Sequence, residues 1–137
     1  MIFNETTHTQ ARIDFQRFDR MVPLDHEHLR VLKGLEKPGD LVSFLSDLIQ
    51  TFTRESPLSV RALHDALQAH NSSAAKYAAH QLKGLASNMG AIKLAELSEA
   101  IEIEIEDGRL PDPLNTKTVL ERYRSEAIDL LVRDWKA

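Results

Sequence analysis

The sequence contains no cysteine. Disulfide bonds and thiolate metal sites are therefore excluded, and the composition fits a reducing compartment. No apolar run approaches the roughly 18 residues that a membrane-crossing helix needs. The opening segment MIFNETTHTQ lacks the basic start and apolar stretch of a secretory signal peptide. We therefore expect a soluble cytoplasmic protein with no membrane association.

The sequence also has little excess of one sign of charge over the other. The formal net charge is only −4, whereas a nucleic-acid-binding protein is expected to carry a strongly basic stripe. Hydrophobic residues make up 42% and charged residues 28% of the 137 residues, which is typical of one globular domain. We expect no nucleic-acid partner.

Five glycines and five prolines leave room for long uninterrupted helices. After Pro23-Leu24, Asp25 is a suitable N-cap for a short helix. Its expected buried stripe is Leu29, Leu32 and Leu35, and Lys37-Pro38-Gly39 is expected to end it. Asp40 is predicted to cap a second helix, in which helical spacing runs from Leu41 to His70. Pro57 lacks a backbone donor, so a kink or a break is expected at Ser56-Pro57.

The second half of the chain predicts three more helices. One runs from about Ala74 to Met89, after a turn and cap at Asn71-Ser72-Ser73, and Gly90 ends it. The next ends in an alternating stretch, Ile101 to Ile105, that resembles a strand, but the preceding spacing is helical and Asp107-Gly108 provides a stop. The last follows the loop at 109–113 and has an apolar inner side: Val119, Leu120, Tyr123, Ala127, Leu130 and Leu131.

Helices with apolar stripes and short connections can bury those stripes only against one another. We therefore predict an all-α fold, an up-down antiparallel four-helix bundle spanning residues 23–137. Residues 1–22 are expected to add a tail or a short N-terminal helix. If that segment forms a helix, its apolar side is expected to be Ile13, Phe15, Phe18, Met21 and Val22.

His80 lies in the middle of the predicted helix that ends at Met89. At about 100° per residue, one half of this helix is apolar and must face the core: Ala75, Ala78, Ala79, Leu82, Leu85, Ala86 and Met89. Lys76, Lys83, Gly84 and Ser87 fall within roughly 60° of His80 on the helical wheel. His80 is therefore predicted to project outward on a polar, partly basic strip.

This strip suits nucleophilic chemistry. A free imidazole, with a pKa of about 6.5, is mostly neutral at pH 7 and offers a nitrogen lone pair. A phosphoryl group on it adds about two negative charges, which Lys83 can offset and Lys76 can offset more weakly. Gly84 leaves room for a second protein, and a mid-helix glycine costs about 1 kcal/mol relative to alanine. Taken singly, a surface histidine, a nearby lysine and a glycine that permits helix packing are all ordinary features.

The string His80-Gln81-Leu82-Lys83-Gly84, followed by Gly90-Ala91, resembles the signature of histidine phosphotransfer (HPt) domains. That signature is H-x-L-K-G, then a stretch of small residues, then G-A or G-L. The resemblance extends over residues 24–106 and more loosely over the last helix. Leu85 departs from it, because the family often has serine or another small residue there.

The resemblance implies a role for each matching residue. His80 corresponds to the histidine phosphorylated on Nε2, and Lys83 to the basic residue near the phosphate. Gly84 corresponds to the glycine that leaves room for the partner. Glu102 falls where the family often has Glu or Gln, whose side chain holds the Nδ1–H of the histidine. A solvated charge on a helix surface is the alternative interpretation of Glu102.

By the same resemblance, the protein accepts a phosphoryl group from a receiver-domain phospho-aspartate and passes it to another receiver domain in a two-component phosphorelay. Its expected partners are response-regulator receiver domains, a hybrid sensor histidine kinase, or both, and it is expected to be a monomer. The docking surface is expected to combine the strip around His80 with apolar residues of the first two helices. Leu29 and Leu32 are candidates for it, and they are equally good core residues.

The sequence has no glycine-rich nucleotide loop and no convincing acidic cluster for Mg²⁺. We therefore expect a phosphohistidine carrier without kinase activity and without a cofactor of its own. Phosphoryl transfer depends mainly on positioning and charge neutralisation. The resemblance implies that the partner receiver domain supplies the Mg²⁺.

Three other interpretations remain open at this point. A non-catalytic adaptor would bind a receiver domain or a kinase without turnover. A metal-binding bundle would use some of the six histidines, although their spacing does not place an i, i+4 pair on one face. The dimerisation domain of a sensor kinase usually has an acidic residue after its histidine and a proline soon after, whereas Gln81 and Leu82 follow here.

Overall fold

The computed structural model describes residues 13–37, 39 and 43–135. These residues form six helices: α1 (Phe15–Asp19), α2 (His26–Lys33), α3 (Phe44–Gln68), α4 (Ser72–Met89), α5 (Ile92–Glu106) and α6 (Pro113–Asp134). The four long helices close a ring of contacts, in which α3 packs on α4, α4 on α5, α5 on α6 and α6 on α3. Short connections between successive members make them antiparallel neighbours. The predicted all-α bundle is confirmed, and none of the described helices is long and apolar enough to cross a bilayer.

Side-chain caps define where most of these helices begin. The Asp25 carboxylate accepts from the His28 N–H at 3.1 Å, and the Asn71 side chain accepts from the Ala74 N–H at 3.1 Å. Each cap satisfies a backbone donor that has no partner within its helix. The expected cap of α2 is therefore confirmed. For α4, the cap is the first residue of the expected turn, Asn71, so the helix begins at Ser72 and not at about Ala74.

Two expectations for α3 need correction. The described helix begins at Phe44 with Ser43 as its N-cap; Asp40, the predicted cap, and Leu41 lie outside the described residues. The helix also continues through Pro57, so the expected break is absent there; a kink at this position stays a prediction. Phe52 and Val60, which lie five residues before and three residues after Pro57, are both buried in the core. Packing of both halves against the bundle outweighs the one backbone hydrogen bond that proline removes.

The prediction for α2 was wrong at its C-terminal end. The helix ends at Lys33 with Gly34 as its C-cap, before the expected stop at 37–39. Leu29 is fully buried, but Leu35 follows the helix and its side chain is 58% exposed. Leu35 leaves the apolar stripe because helical periodicity no longer governs the chain after Gly34.

Gly90 joins three helices at one point. It takes a left-handed φ of +77° at the end of α4, as the sequence predicted. Its carbonyl accepts from the Asp25 N–H at 2.8 Å, and the His28 Nε2 lies 2.9 Å from the Asn88 carbonyl oxygen. The start of α2 is therefore docked on the turn between α4 and α5.

The short N-terminal helix α1 is attached to the bundle by a buried tyrosine. Phe18 is buried, as expected for its apolar side, whereas Val22 is exposed; residues 1–12 lie outside the described part of the chain. The Tyr123 hydroxyl donates to the Asp19 carboxylate, which also pairs with Arg122 at 2.8 Å. Burial, with that hydrogen bond, raises the pKa of Tyr123 to about 12.

We expect Gly90→Ala to destabilise the protein more than Gly108→Ala. Both glycines have positive φ, +77° and +85°, so alanine at either site costs about 1 kcal/mol of backbone strain. A Cβ at Gly90 would lie 3.1 Å from Cδ2 of His28, whose ring is held by Asn88, whereas a Cβ at Gly108 would meet nothing within 4 Å. Urea unfolding of both variants tests this, and equal losses would contradict it.

We expect Tyr123→Phe to reduce the loss of stability at alkaline pH. The folded pKa of Tyr123 is raised from 10.0 to about 12, so the stabilisation is fully present below pH 10 and is lost as pH rises towards 12. Unfolding free energies measured across that range should fall less steeply in the variant. Tyr77→Phe is the control, because the Tyr77 side chain is exposed; identical slopes in both variants would contradict the assignment.

Candidate functional site

His80 lies near the middle of α4 and its side chain is 64% exposed. The opposite face of α4 packs into the core: Ala75, Ala78, Ala79, Leu82, Ala86 and Met89 are buried, and Leu85 is half-buried. The predicted outward orientation of His80 is therefore confirmed. The departure at Leu85 is accommodated because its side chain packs against the core.

Glu102, on α5, fixes the orientation of the imidazole. The His80 Nδ1 lies 3.1 Å from Oε2 and 3.4 Å from Oε1 of Glu102. An ionised carboxylate can only accept, so this contact assigns the ring proton to Nδ1. Nε2 then carries the lone pair, and it makes no hydrogen bond to any residue in the described ranges. The Glu102 side chain is only 13% exposed, so it is not a freely solvated surface charge.

Lys83 is close to this pair but is directed towards α5. Its Nζ lies 3.5 Å from Oε1 of Glu99 and 3.8 Å from Oε1 of Glu102. The side chain is 32% exposed, so it is only partly exposed, whereas a lysine on the outward strip is expected to be exposed. Two carboxylates attract the ammonium group and hold it partly against the helix surface.

Lys76 is engaged in the same way, one turn before His80. Its Nζ lies 2.9 Å from Oε2 of Glu106, and this hydrogen bond raises the pKa of Lys76. Both lysines that the sequence singled out are thus close to the imidazole and are paired with carboxylates of α5.

Gly84 is exposed, one turn after His80. A Cβ built at this position would meet nothing within 4 Å. The packing of this chain on itself therefore does not require glycine here, which rules out the interpretation that Gly84 permits close packing between helices of the bundle.

Sequence reasoning missed three residues around the site. Glu99 and Glu106 hold the two lysines, and Tyr77 is 65% exposed and accepts a hydrogen bond from the Gln81 side chain at 3.1 Å. An open depression of about 470 Å³ lies beside the imidazole, lined by Ser73, Lys76, Tyr77, His80, Glu102 and Glu106. The spacing of Glu99, Glu102 and Glu106 on α5 mirrors that of Lys76, His80 and Lys83 on α4, which is a signal the sequence already contained.

The expected apolar contribution to the docking surface needs correction. Leu29 is fully buried and Leu32 half-buried. The exposed apolar residues of this region are Val31, at 61%, and Leu35, at 58%. Leu29 faces the core because α2 rests on the α4–α5 turn, so it is not available to a partner.

Within the described residues, no group of three or more His, Asp or Glu side chains is arranged to hold a metal ion. The fold and the site instead define a helical bundle that presents one oriented imidazole to solvent. The family model for the Hpt domain matches residues 47–131, more than half of the chain. The chain belongs to the Hpt domain family, and its function is histidine phosphotransfer in a two-component phosphorelay.

A solved structure supports this membership. The crystal structure of histidine-containing phosphotransfer protein B from Pseudomonas aeruginosa PAO1 is similar with a TM-score of 0.72 and 29% sequence identity. The similarity covers 82% of this chain and 93% of that chain. No curated protein sequence matches. Helices α1 and α2 precede the residues that the family model matches.

Proposed function

We propose that His80 is the residue that carries the phosphoryl group, accepting it from the phospho-aspartate of a receiver domain and passing it to another receiver domain. The observation that carries this proposal is the geometry of the ring. Its Nδ1 is held by Glu102 at 3.1 Å, and its side chain is 64% exposed. The nucleophilic Nε2 is therefore accessible to the active site of another protein.

The transfer step balances without a further reactant. The Nε2 lone pair of His80 attacks the phosphorus of the aspartyl phosphate in line. A nitrogen–phosphorus bond forms while the phosphorus–oxygen bond to the aspartate breaks, and the aspartate leaves as a carboxylate with the bonding electrons. The Nδ1 proton stays on the ring. The reverse step, towards a second receiver domain, uses the same atoms.

Glu102 has two roles in this scheme. Before transfer it keeps the proton on Nδ1, so that Nε2 is the free nitrogen. After transfer Nδ1 carries its proton and Nε2 carries the phosphoryl group, so the ring has a positive charge, which lies opposite the Glu102 carboxylate. Because this carboxylate is largely shielded from solvent, its interaction with the ring is screened less than that of an exposed pair.

Lys83 and Lys76 supply positive charge on the two sides of His80. A phosphoryl group brings about two negative charges, and an ammonium group one helical turn away can reduce their repulsion of the nearby carboxylates. Lys83 is the better placed, because its Nζ lies 3.8 Å from Oε1 of Glu102, the residue whose carboxylate holds the imidazole.

We assign Mg²⁺ and the remaining catalytic groups to the partner receiver domain. The sequence contains no nucleotide-binding loop, so this chain acts as a phosphohistidine carrier and not as a kinase. Receiver domains and a hybrid sensor histidine kinase are the proposed partners. We also propose that the protein is a monomer and that it is located in the cytoplasm.

We expect His80→Gln to abolish labelling by a phosphorylated receiver domain, because glutamine has no comparable nucleophile. The assay incubates the chain with a radiolabelled receiver domain and follows the label. His70→Asn is the matched control: His70 is exposed, has a positive φ of 55° that asparagine tolerates, and should leave labelling unchanged. ATP alone should label neither protein.

Persistent labelling of the His80→Gln variant would reject the assignment of His80. Binding of the receiver domain by the wild-type chain without any transfer would instead support the alternative, an adaptor without turnover.

We expect substitutions of Gly84 to separate stability from transfer. Gly84→Ala should raise the free energy of unfolding by up to about 1 kcal/mol, because glycine disfavours a helix interior and a Cβ has open space here. Gly84→Gln should remain folded but slow transfer, since its side chain would occupy the space that the receiver domain needs. Chemical unfolding and the labelling assay measure the two effects; wild-type transfer by Gly84→Gln would show that the partner does not approach this position.

A further inference from the structure

The residues around His80 belong to a regular arrangement of paired charges across α4 and α5. Lys76 pairs with Glu106 at 2.9 Å, His80 with Glu102 at 3.1 Å, and Lys83 with Glu99 at 3.5 Å. In each pair the two residues are equally distant in sequence from the midpoint of the α4–α5 turn. We call these three pairs the charge ladder. The antiparallel packing of the two helices sets its register.

The last pair of the ladder limits what Lys83 can do in the unphosphorylated protein. The Nζ of Lys83 is 3.5 Å from Glu99 and 3.8 Å from Glu102, so both contacts draw it towards α5. The Nε2 of His80 lies on the side of the ring away from Glu102, because Nδ1 is the atom that contacts that carboxylate. To interact with a phosphoryl group on Nε2, Lys83 must give up part of its contact with Glu99.

We propose that Glu99 is a positioning residue that competes with the phosphoryl group for Lys83. This proposal rests on the proposed function of His80 as the phosphoacceptor. Glu99 lowers the share of time that Lys83 spends beside phosphorylated His80. It thereby keeps the phosphohistidine less stable, which favours its onward transfer to a receiver domain.

The exposure of the pair makes such an exchange possible. The side chain of Glu99 is 50% exposed and that of Lys83 is 32% exposed, so the pair is partly screened by water and can open readily. A phosphoryl group carries about twice the charge of a carboxylate, so it attracts Lys83 strongly once it is present. Glu102 differs from Glu99 because it is engaged with the imidazole itself.

Neutralising Glu99 should shift the equilibrium of transfer towards phosphorylated His80. In Glu99→Gln, Lys83 loses one competing carboxylate and neutralises the phosphoryl group more completely. The expected increase in the equilibrium ratio of labelled chain to labelled receiver domain is about threefold, within the range typical of exposed ion pairs. The experiment mixes the chain with a radiolabelled receiver domain that labels the wild type, and measures the label on each protein at equilibrium.

Two comparisons separate this role from a general effect of charge or folding. Glu96→Gln removes the same charge from an exposed residue of α5 that forms no ion pair within the described part of the chain, and it should leave the ratio unchanged. In a Lys83→Ala background, Glu99→Gln should have no effect, because the residue through which it acts is absent. Thermal unfolding of each variant checks that it is folded.

An unchanged ratio in Glu99→Gln, or a full threefold increase that persists without Lys83, would overturn the proposal. Both results leave His80 as the phosphoacceptor. Failure of every receiver domain to label the wild-type chain is a different result, which would reject the proposed function on which this inference rests.

Discussion

The contact between His80 Nδ1 and Glu102 is the interaction on which the site depends. It spans two helices, so it exists only if α4 and α5 pack in one register. That register is set at Gly90, where α4 ends in a left-handed residue and α5 begins almost at once. The core face of α4, rich in alanine, lets the helices lie close together. The exposed imidazole of His80 is thus oriented by the carboxylate of Glu102, which is itself largely shielded from water.

The rest of the bundle keeps this face open while it closes the others. Helix α3 covers the other side of α4 and continues through Pro57 without a break. Helix α2 is fastened to the Gly90 turn by the Asp25 N–H and by His28. Helix α1 is fastened to α6 by the hydrogen bond between Tyr123 and Asp19. The small N-terminal helices therefore cover the end and sides of the bundle and leave Gly84 and His80 exposed.

The charges at the site suit the role proposed for His80, which is to carry a phosphoryl group that is accepted and then passed on. A carrier of a phosphoryl group must stabilise it enough to accept it, yet not so much that it stays. Lysines of α4 face carboxylates of α5 at distances of 2.9 to 3.8 Å, so positive charge is present but already partly neutralised. Such exposed pairs are individually weak, and a phosphoryl group can reorganise them without disturbing the core.

The sequence by itself determined the helices, the outward face of α4 and the identity of His80, Lys83 and Gly84 as a set, because helical periodicity and the short motif are local properties. It also determined the cap at Asp25 and the end of α4 at Gly90. Only the tertiary structure decided that α3 continues through Pro57, that Leu29 is buried while Leu35 is exposed, and that Lys83 pairs with Glu99. Those outcomes depend on packing between helices distant along the chain, where the burial of apolar surface and the approach of opposite charges outweigh local preferences.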